Sequence, residues 1–143
     1  MKLADSNVWL ALVLTGHVHH SAASAWLSQQ KTREVAFCRL TQLSLLRLLT
    51  TRAVLGPYGI PPLTNSQAWQ TYNGLCADSR ITFATEHSDI ETRWIELANA
   101  STSSPRLWMD AYLAAFAISG GHQLVTFDSA FTQFRGLDLL LLQ

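Results

Sequence analysis

The sequence predicts an α/β fold, a three-layer α/β/α sandwich in which helices cover both faces of a mainly parallel sheet. Short β-like apolar runs alternate along the chain with segments whose apolar residues recur at helical spacing, and this alternation is typical of parallel sheets. The chain has 143 residues, of which 48% are hydrophobic, which is enough for one buried core but not for a second domain. We therefore expect a single domain over residues 1–143, and no internal repeat is visible.

The opening segment carries the pattern from which the site prediction starts. Residues 2–4 form a short run of strand character that ends in Asp5-Ser6-Asn7, and a helical pattern over residues 7–14 follows at once. Gly16 is the expected stop signal of that helix. Asp5 then lies at the carboxyl end of a strand, where open α/β sheets bind their ligands. Because burying an unpaired carboxylate is costly, its presence there predicts a functional role.

The other elements follow from apolar spacing and from capping residues. Helices are predicted at residues 20–30, at 42–51 with Thr41 as N-cap, at 65–75 with Asn65 or Ser66 as cap, at 89–99 with Asp89 as cap, and at 108–119 before Gly120-Gly121. Strands are predicted at residues 34–38, 80–84, 123–127 and 137–142. Residues 56–62, which are rich in glycine and proline, and residues 101–105 are predicted loops.

Composition and charge argue against several classes of protein. Ten basic and ten acidic residues give a formal net charge of zero, which disfavours a protein that coats nucleic acid non-specifically. No apolar run is long enough to span a membrane, and the N-terminus lacks the features of a signal peptide, so we expect a cytoplasmic protein. Without a CxxC spacing, Cys38 and Cys76 are expected to be buried, reduced core residues. A flavodoxin-like nucleotide-binding domain is disfavoured because no glycine-rich loop follows the first strand.

Three aspartates lie at the edges of predicted elements and are expected to face one side of the sheet. Asp5 ends the first strand, Asp110 opens a helical run, and Asp128 closes a strand. Together they predict one metal site. Each also has a structural alternative: Asp5 as a helix N-cap, Asp110 as an acid favoured by the helix dipole, and Asp128 as a turn residue.

Four short motifs carry a resemblance to a known family. They are Asp5-Ser-Asn7, Thr41-Gln-Leu-Ser-Leu-Leu-Arg47, Asp110-Ala-Tyr-Leu-Ala and Thr126-Phe-Asp128. Each motif alone would be uninformative, but the ordered set, each member at the matching strand or helix edge, resembles the PIN-domain ribonucleases. More narrowly, it resembles the VapC toxins of bacterial and archaeal toxin–antitoxin pairs, over essentially the whole chain.

The resemblance implies a Mg²⁺- or Mn²⁺-dependent endoribonuclease that is the toxin of a VapBC-like pair and cleaves single-stranded or loop RNA. Its catalytic residues would be Asp5, Asp110 and Asp128, which would hold the metal directly or through water. Hard divalent cations prefer such oxygen ligands. A bound ion lowers the pKa of a water ligand and stabilises the charge that develops on the attacked phosphate.

Neighbouring polar residues have supporting roles under the same resemblance. Ser6 and Thr126 would orient the carboxylates or the attacking water, and Asn7 would fix the turn at Asp5. The expected contacts to RNA phosphate are three arginines, Arg39, Arg47 and Arg106. The alternative for Arg47 is an ordinary exposed arginine on a helix that otherwise buries leucines.

The position of Gln42 is the main departure from the family pattern. The family usually has a glutamate near the start of the third helix, whereas this chain has a glutamine. The carbonyl of Gln42 is an optional further metal ligand, but it brings no negative charge. Glu34, Asp78 and Glu86 are acids that would substitute for the missing charge. The alternative function is a catalytically inactive PIN-fold module that binds an antitoxin-like protein or RNA without cleavage.

The implied partners are the RNA substrate, a VapB-type antitoxin and a second copy of the chain in a homodimer. Candidates for a groove that receives an antitoxin helix are Trp9, Leu12, Leu46 and Trp69, unless they are ordinary core residues. Base stacking on Trp108 beside Arg106 is a minor alternative to a core or partner-facing role. The histidines at 17, 19 and 20 are not expected to bind the metal, because a hard-cation site does not use imidazole.

Overall fold

Five parallel strands form the single sheet of the protein. The computed structural model describes residues 1–143. The strands are β1 (Lys2–Ala4), β2 (Val35–Phe37), β3 (Ile81–Phe83), β4 (Gln123–Thr126) and β5 (Leu139–Leu141). Their spatial order is β3-β2-β1-β4-β5, and every neighbouring pair is parallel. The predicted α/β class is therefore confirmed, although each strand except the first is shorter than its predicted range.

Seven helices connect the strands. They are α1 (Ser6–Val13), α2 (His20–Ser28), α3 (Arg39–Leu49), α4 (Arg52–Leu55), α5 (Asn65–Cys76), α6 (Ile90–Ala98) and α7 (Pro105–Gly120). Two 3₁₀ turns, at Gly56–Tyr58 and Ser129–Gln133, complete the fold. The chain winds outward from β1 to β3, then returns through α6 and α7 to β4 on the other side of β1. The order of the strands thus reverses between β1 and β4, and ligand sites in such sheets lie at the carboxyl ends of that pair.

Two hydrophobic clusters cover the two faces of the sheet, as a three-layer sandwich requires. Ala4 of β1 packs into the cluster formed with α1, α2, α3 and α5, whereas Leu3 packs into the cluster formed with α6 and α7. In the first cluster the indole of Trp9 stacks on Phe37, with 3.7 Å between ring centroids. Its N–H donates to the carbonyl of Ala4 at 2.9 Å. Helices long and apolar enough to cross a membrane are absent from the fold.

The starts of α3 and α5 differ from the prediction. Helix α3 begins at Arg39 after Cys38, so Thr41 is its third residue and not its N-cap. The Thr41 hydroxyl accepts the N–H of Cys38 at 3.0 Å, a bond that a threonine makes equally well from inside the first turn. Helix α5 is capped by Thr64, one residue before the predicted Asn65 or Ser66. Its hydroxyl accepts the N–H of Gln67 at 3.1 Å.

The start of α7 changes the interpretation of Asp110. The helix begins at Pro105, three residues before its predicted start, because proline fits the first helical position and has no N–H to satisfy there. Asp110 consequently lies in the second turn and does not open the helix. The helix dipole acts mainly within the first turn, so it does not account for an acid at this position. Gly121, with a φ of 63°, ends the helix as predicted.

Two smaller expectations, those on Gly16 and on Cys76, were wrong. Helix α1 ends at Val13 with Leu14 extended, so Gly16 does not stop it. Asp89 is the N-cap residue of α6 as predicted, but its side chain makes no capping bond, because its carboxylate pairs with His87 at 2.6 Å. The predicted loop at 56–62 is confirmed, with a 3₁₀ turn at Gly56–Tyr58, and the short helix α4 precedes it. Cys76 is exposed, whereas Cys38 is buried as predicted, and both thiols are free.

Leu45→Ala and Leu43→Ala test the register of α3. Leu45 is fully buried, whereas Leu43 is 51% exposed. We expect Leu45→Ala to lower the free energy of unfolding by about 2–5 kcal/mol, and Leu43→Ala to change it by only about 0.5 kcal/mol. Urea denaturation measures both. Equal losses in the two variants would contradict the register, and with it the faces that α3 presents to the site.

Candidate active site

The carboxylate of Asp5, directly after β1, is held by three polar neighbours. The backbone N–H of Ser6 donates to Oδ1 at 2.6 Å, and the Ser6 hydroxyl lies 3.3 Å from the same oxygen. Oδ2 accepts from the amide of Asn7 at 3.0 Å and from the hydroxyl of Thr126 at 2.8 Å. Asp5 is also the N-cap of α1. Asp5 therefore has the N-capping role that the sequence left open as an alternative, and it also lies at the carboxyl end of β1.

Thr126, the fully buried last residue of β4, joins three segments through its hydroxyl. This hydroxyl donates to Asp5 and accepts from the side-chain amide of Asn7 at 2.9 Å and from the backbone N–H of Asp128 at 3.0 Å. The Asn7 oxygen accepts the N–H of Phe127 at 3.2 Å. The network fixes the carboxyl end of β1 against that of β4.

Asp5 and Asp110 line one pocket of about 80 Å³ between the first turns of α3 and the second turn of α7. Such a volume holds more than one water molecule. Burial raises the pKa of Asp5, hydrogen bonds from Thr126 and Ser6 oppose the rise, and the charge of Asp110 adds to it. Burial also raises the pKa of Asp110. Neither carboxylate forms an ion pair with a lysine or an arginine.

Asp128 lies beside this pocket without lining it. Its carboxylate caps the second 3₁₀ turn by accepting the N–H of Ala130 at 2.8 Å, which is the turn role that the sequence left open. Its charge reaches Asp110, whose pKa it raises, while Arg106 acts in the opposite direction. No three acidic, histidine or cysteine side chains are close enough to hold one ion together. The structure thus pairs Asp5 with Asp110 and leaves Asp128 at the margin.

Gln42 is not brought together with the carboxylates. Its side chain is buried, and its oxygen accepts from the guanidinium of Arg39 at 2.5 Å. The other acids weighed as substitutes are also committed elsewhere: Glu34 to Lys2, Asp78 to Arg80, and Glu86 to the hydroxyl of Tyr112.

Thr41 and Ser44 are the polar residues of α3 that face the pocket, and sequence reasoning missed both in this role. They line it together with Leu40. They are three residues apart and therefore lie on the same face of the helix, whereas Gln42 lies on another. The three-residue spacing of Thr41 and Ser44 is visible in the sequence. It indicates a common helix face only if Thr41 lies inside α3, and the prediction placed Thr41 outside the helix as its N-cap.

The three arginines expected to contact phosphate lie in different surroundings. Arg47 is exposed and lines a groove of about 320 Å³ that shares Ser6 and Ser44 with the acidic pocket. Arg106 is 88% exposed, with its guanidinium 4.0 Å from the carboxylate of Asp128. The guanidinium of Arg39 lies 4.9 Å from the centre of the Phe83 ring. Arg47 and Arg106 therefore flank the pocket, whereas Arg39 lines neighbouring grooves.

Comparison with known proteins matches this arrangement to one family. A family model described as PIN domain matches residues 2–137. The chain belongs to the PIN-domain family. Within it, the chain is 54% identical to Ribonuclease VapC41 of Mycobacterium tuberculosis over 144 aligned residues, covering 99% of each chain. It is 33% identical to Ribonuclease VapC29 of the same organism, over 94% of this chain and 90% of that one. The chain is thus a VapC homologue.

Solved structures agree with the fold of this PIN domain. The crystal structure of VapC20 from Mycobacterium tuberculosis, described as a sarcin-ricin loop cleaving toxin, has a TM-score of 0.65 at 18% identity and covers 96% of this chain and 98% of its own. VapBC2 from Rickettsia felis, bound to a DNA fragment from its promoter, has a TM-score of 0.66 at 13% identity, with coverages of 98% and 97%. At these identities the likeness concerns the fold alone.

The early residues expected to line an antitoxin groove lie in two places in this PIN domain. Trp9 is fully buried and belongs to the core, so it cannot line a groove. Leu46 and Trp69 do line one, a depression of about 310 Å³ between α3 and α5, in which Trp69 is 48% exposed. Leu12 is half-buried against the core. In the nearby histidine segment, the Nδ1 of His20 lies 2.8 Å from the carbonyl oxygen of Ala11.

Asp110→Asn should stabilise the metal-free PIN domain near neutral pH. Because the pKa of Asp110 is raised above its ordinary value of 3.8, the folded chain binds this proton more tightly than the unfolded chain does. Stability from this group is then greatest when the carboxyl is protonated, and it declines as pH rises through the folded-state pKa. The advantage of the asparagine should therefore be present at pH 7 and shrink as the pH falls toward about 4.

Urea unfolding in EDTA at several pH values measures this difference. Asp138→Asn is the control because Asp138 is exposed and outside the pocket; we expect it to change the free energy of unfolding by no more than about 0.5 kcal/mol at pH 7. A loss of stability in Asp110→Asn that is equal at all pH values would contradict the account.

Proposed function

We propose that this PIN domain is a Mg²⁺- or Mn²⁺-dependent endoribonuclease, the toxin of a VapBC-type pair. The observation that carries the proposal is the pocket that Asp5 and Asp110 both line, desolvated by burial and without an ion pair to a lysine or an arginine. A divalent cation is the group that would offset both the burial and the repulsion of these charges. The 54% identity to a protein named a ribonuclease over the whole chain supports the same activity.

The donor set fits a hard, hydrated cation. Carboxylate and hydroxyl oxygens of Asp5, Asp110, Ser6, Thr41 and Ser44 line the pocket, and imidazole and thiol groups are absent from its lining. Mg²⁺ commonly keeps several waters and needs only one or two carboxylates together with substrate phosphate. Asp5 and Asp110 would hold the ion, and Asp128 would reach it through water. This arrangement suits a site in which three carboxylates do not converge directly.

The chain's own residues prepare the site for hydrolysis. When bound, the metal supplies an activated water and neutralises charge on the attacked phosphate. Thr126 and Asn7 hold the carboxylate of Asp5 in a single orientation, so little reorganisation is needed as charge develops. The hydroxyls of Ser6 and Ser44 lie where the acidic pocket meets the groove of Arg47. Arg47 and Arg106 would place the phosphates on either side of the cleaved bond.

A VapB-type antitoxin is the partner proposed for the groove between α3 and α5. Leu46 and Trp69, two of the four residues predicted for such a groove, line it together with Leu43 and Ala68. An exposed tryptophan beside apolar neighbours suits the apolar face of an amphipathic helix. Homodimerisation stays a prediction from the family resemblance.

The inactive-module alternative depended on Gln42. Because Gln42 contacts Arg39 and does not line the acidic pocket, the glutamine removes no charge from the pocket. The glutamine at position 42 therefore gives little support to a catalytically inactive protein.

Asp5→Asn should abolish metal-dependent RNA cleavage. The change removes the buried charge that faces Asp110, and loss of such electrostatic stabilisation costs about 10²-fold or more in rate. Cleavage of a labelled RNA pool in Mg²⁺ or Mn²⁺, with an EDTA control, measures the effect. Asp138→Asn, outside the pocket, should retain the wild-type rate. Cleavage that persists in EDTA, or in Asp5→Asn, would defeat the proposal.

Ser44→Glu should tighten metal binding, whereas Gln42→Glu should leave it unchanged. Ser44 faces Asp5 and Asp110, so a carboxylate there adds a third charge to the pocket, whereas position 42 lies against Arg39. Calorimetric titration with Mn²⁺ compares the two variants with the wild type. Tighter binding in Gln42→Glu alone would show that position 42, and not position 44, belongs to the metal site.

A further inference from the structure

A second groove adjoins the acidic pocket, and the function proposed above leaves it unused. It has a volume of about 300 Å³ and shares Leu40 and Met109 with the acidic pocket. Its other lining residues are Arg39, Leu43, Glu86, Trp94, Trp108 and Tyr112. We call it the aromatic groove. A concave, mainly apolar site of this volume with a few polar groups is typical of small-ligand subsites.

The rings of the aromatic groove are held in fixed edge-to-face contacts. Trp94 meets Trp108 with 5.8 Å between ring centroids and an angle of 78°, and it meets Tyr112 at 5.5 Å and 85°. The indole N–H of Trp94 donates to the carbonyl of Trp108 at 2.8 Å. Trp108 nevertheless remains 55% exposed. A restrained, exposed indole offers a flat apolar face, and nucleobases stack on such faces.

The polar groups of the aromatic groove favour hydrogen-bond donors in a ligand. The hydroxyl of Tyr112 donates to Oε1 of Glu86, which fixes the carboxylate and leaves Oε2 and the second lone pair of Oε1 free to accept. An ionised carboxylate is acceptor-only. Among the four RNA bases, guanine presents two adjacent donors, N1–H and the N2 amino group, and these match the two oxygens of a carboxylate.

The register of α7 connects the aromatic groove to the acidic pocket. Asp110 and Leu113 face the acidic pocket, Trp108 and Tyr112 face the aromatic groove, and Met109 lines both. Trp108 and Asp110, two residues apart, point to different sides of α7, and the two sites meet at Leu40 and Met109, which line both. A base stacked on Trp108 and a phosphate at Asp110 would therefore belong to nearby nucleotides of one strand.

We propose that the aromatic groove binds one unstacked base of the RNA substrate, and that Glu86 makes guanine the preferred base. The inference rests on the proposed ribonuclease function, because it takes RNA as the ligand, and it adds the residues that select the sequence. RNA is favoured over a protein partner because the groove is continuous with the acidic pocket and contains both an acceptor for base donors and the cation of Arg39.

Trp108→Ala tests the stacking face, with Trp69→Ala as the matched control. Trp69 is similarly exposed, at 48%, but lies in the groove between α3 and α5. Fluorescence anisotropy with short labelled single-stranded RNA containing one guanosine, measured in EDTA, reports binding without cleavage. Removal of one stacking ring should weaken binding about 10- to 100-fold, and Trp69→Ala should change it less than about 2-fold.

The outcomes separate this inference from the proposed function. Metal-dependent cleavage together with equal RNA affinity in Trp108→Ala and the wild type would overturn the base subsite and leave the nuclease intact. If Trp108→Ala alters the mass of the protein in solution but not its RNA affinity, the groove is a protein interface and the inference is wrong. A wild type that binds no RNA in EDTA would also overturn the inference, whereas metal-dependent cleavage of the labelled RNA pool decides the proposed function separately.

Inosine substitution tests the assignment of Glu86. Inosine lacks the N2 amino group of guanosine, so replacing the single guanosine should weaken binding to the wild type about 10-fold, in the range of one hydrogen bond to a charged group. Glu86→Gln should lose most of this discrimination, because its amide presents one acceptor and one donor. Equal affinity of the wild type for the two RNAs would overturn the guanine preference even if Trp108 binds a base.

Discussion

The hydrogen bond between Thr126 and Asp5 is the interaction on which the site depends. Asp5 carries a carboxylate into a desolvated position beside a second acid, an arrangement that would destabilise the fold if the oxygens lacked donors. Ser6, Asn7 and Thr126 supply those donors. Because Thr126 also binds the backbone of Asp128, the same bond sets the path of the chain after β4. Holding a charge at this position costs free energy, and a role in binding a cation would explain why the fold retains it.

Sheet topology explains how residues 121 positions apart come into contact. Strand β1 pairs with β4 in a register that aligns Ala4 with Val125, so the next residues along each strand, Asp5 and Thr126, are neighbours. The winding reverses between these two strands, and no crossover helix covers the gap at their carboxyl ends. Helix α7 then brings Asp110 to this gap. The position of the pocket is thus a property of the strand order, and its chemistry comes from the side chains at the strand ends and on α7.

The sequence predicted the parallel sheet and the position of Asp5 at the end of β1, because these features follow from alternation and from the polarity of strand ends. It placed Asp110 at a helix start and Asp128 in the metal site, whereas Asp110 lies in the second turn of α7 and Asp128 does not line the pocket. The faces of α3 were not predictable, since the hydroxyl of Thr41 satisfies the N–H of Cys38 from inside the helix and imitates a cap. Gln42 was predicted as an optional ligand from the family's glutamate near the start of this helix, whereas Ser44 is the residue that lines the pocket. The aromatic groove joins residues of α3, α6, α7 and the segment after β3, a convergence that only tertiary structure shows.

The central claim is that Asp5 and Asp110 bind one divalent cation together. Anomalous diffraction from crystals of the protein soaked in Mn²⁺ tests it most directly, because the signal locates the metal independently of any activity. The account predicts a single strong peak in the pocket lined by Asp5, Asp110, Thr41 and Ser44, bonded to the carboxylates or one water away from them. A peak at the histidines 17, 19 and 20 with none between Asp5 and Asp110 would contradict it.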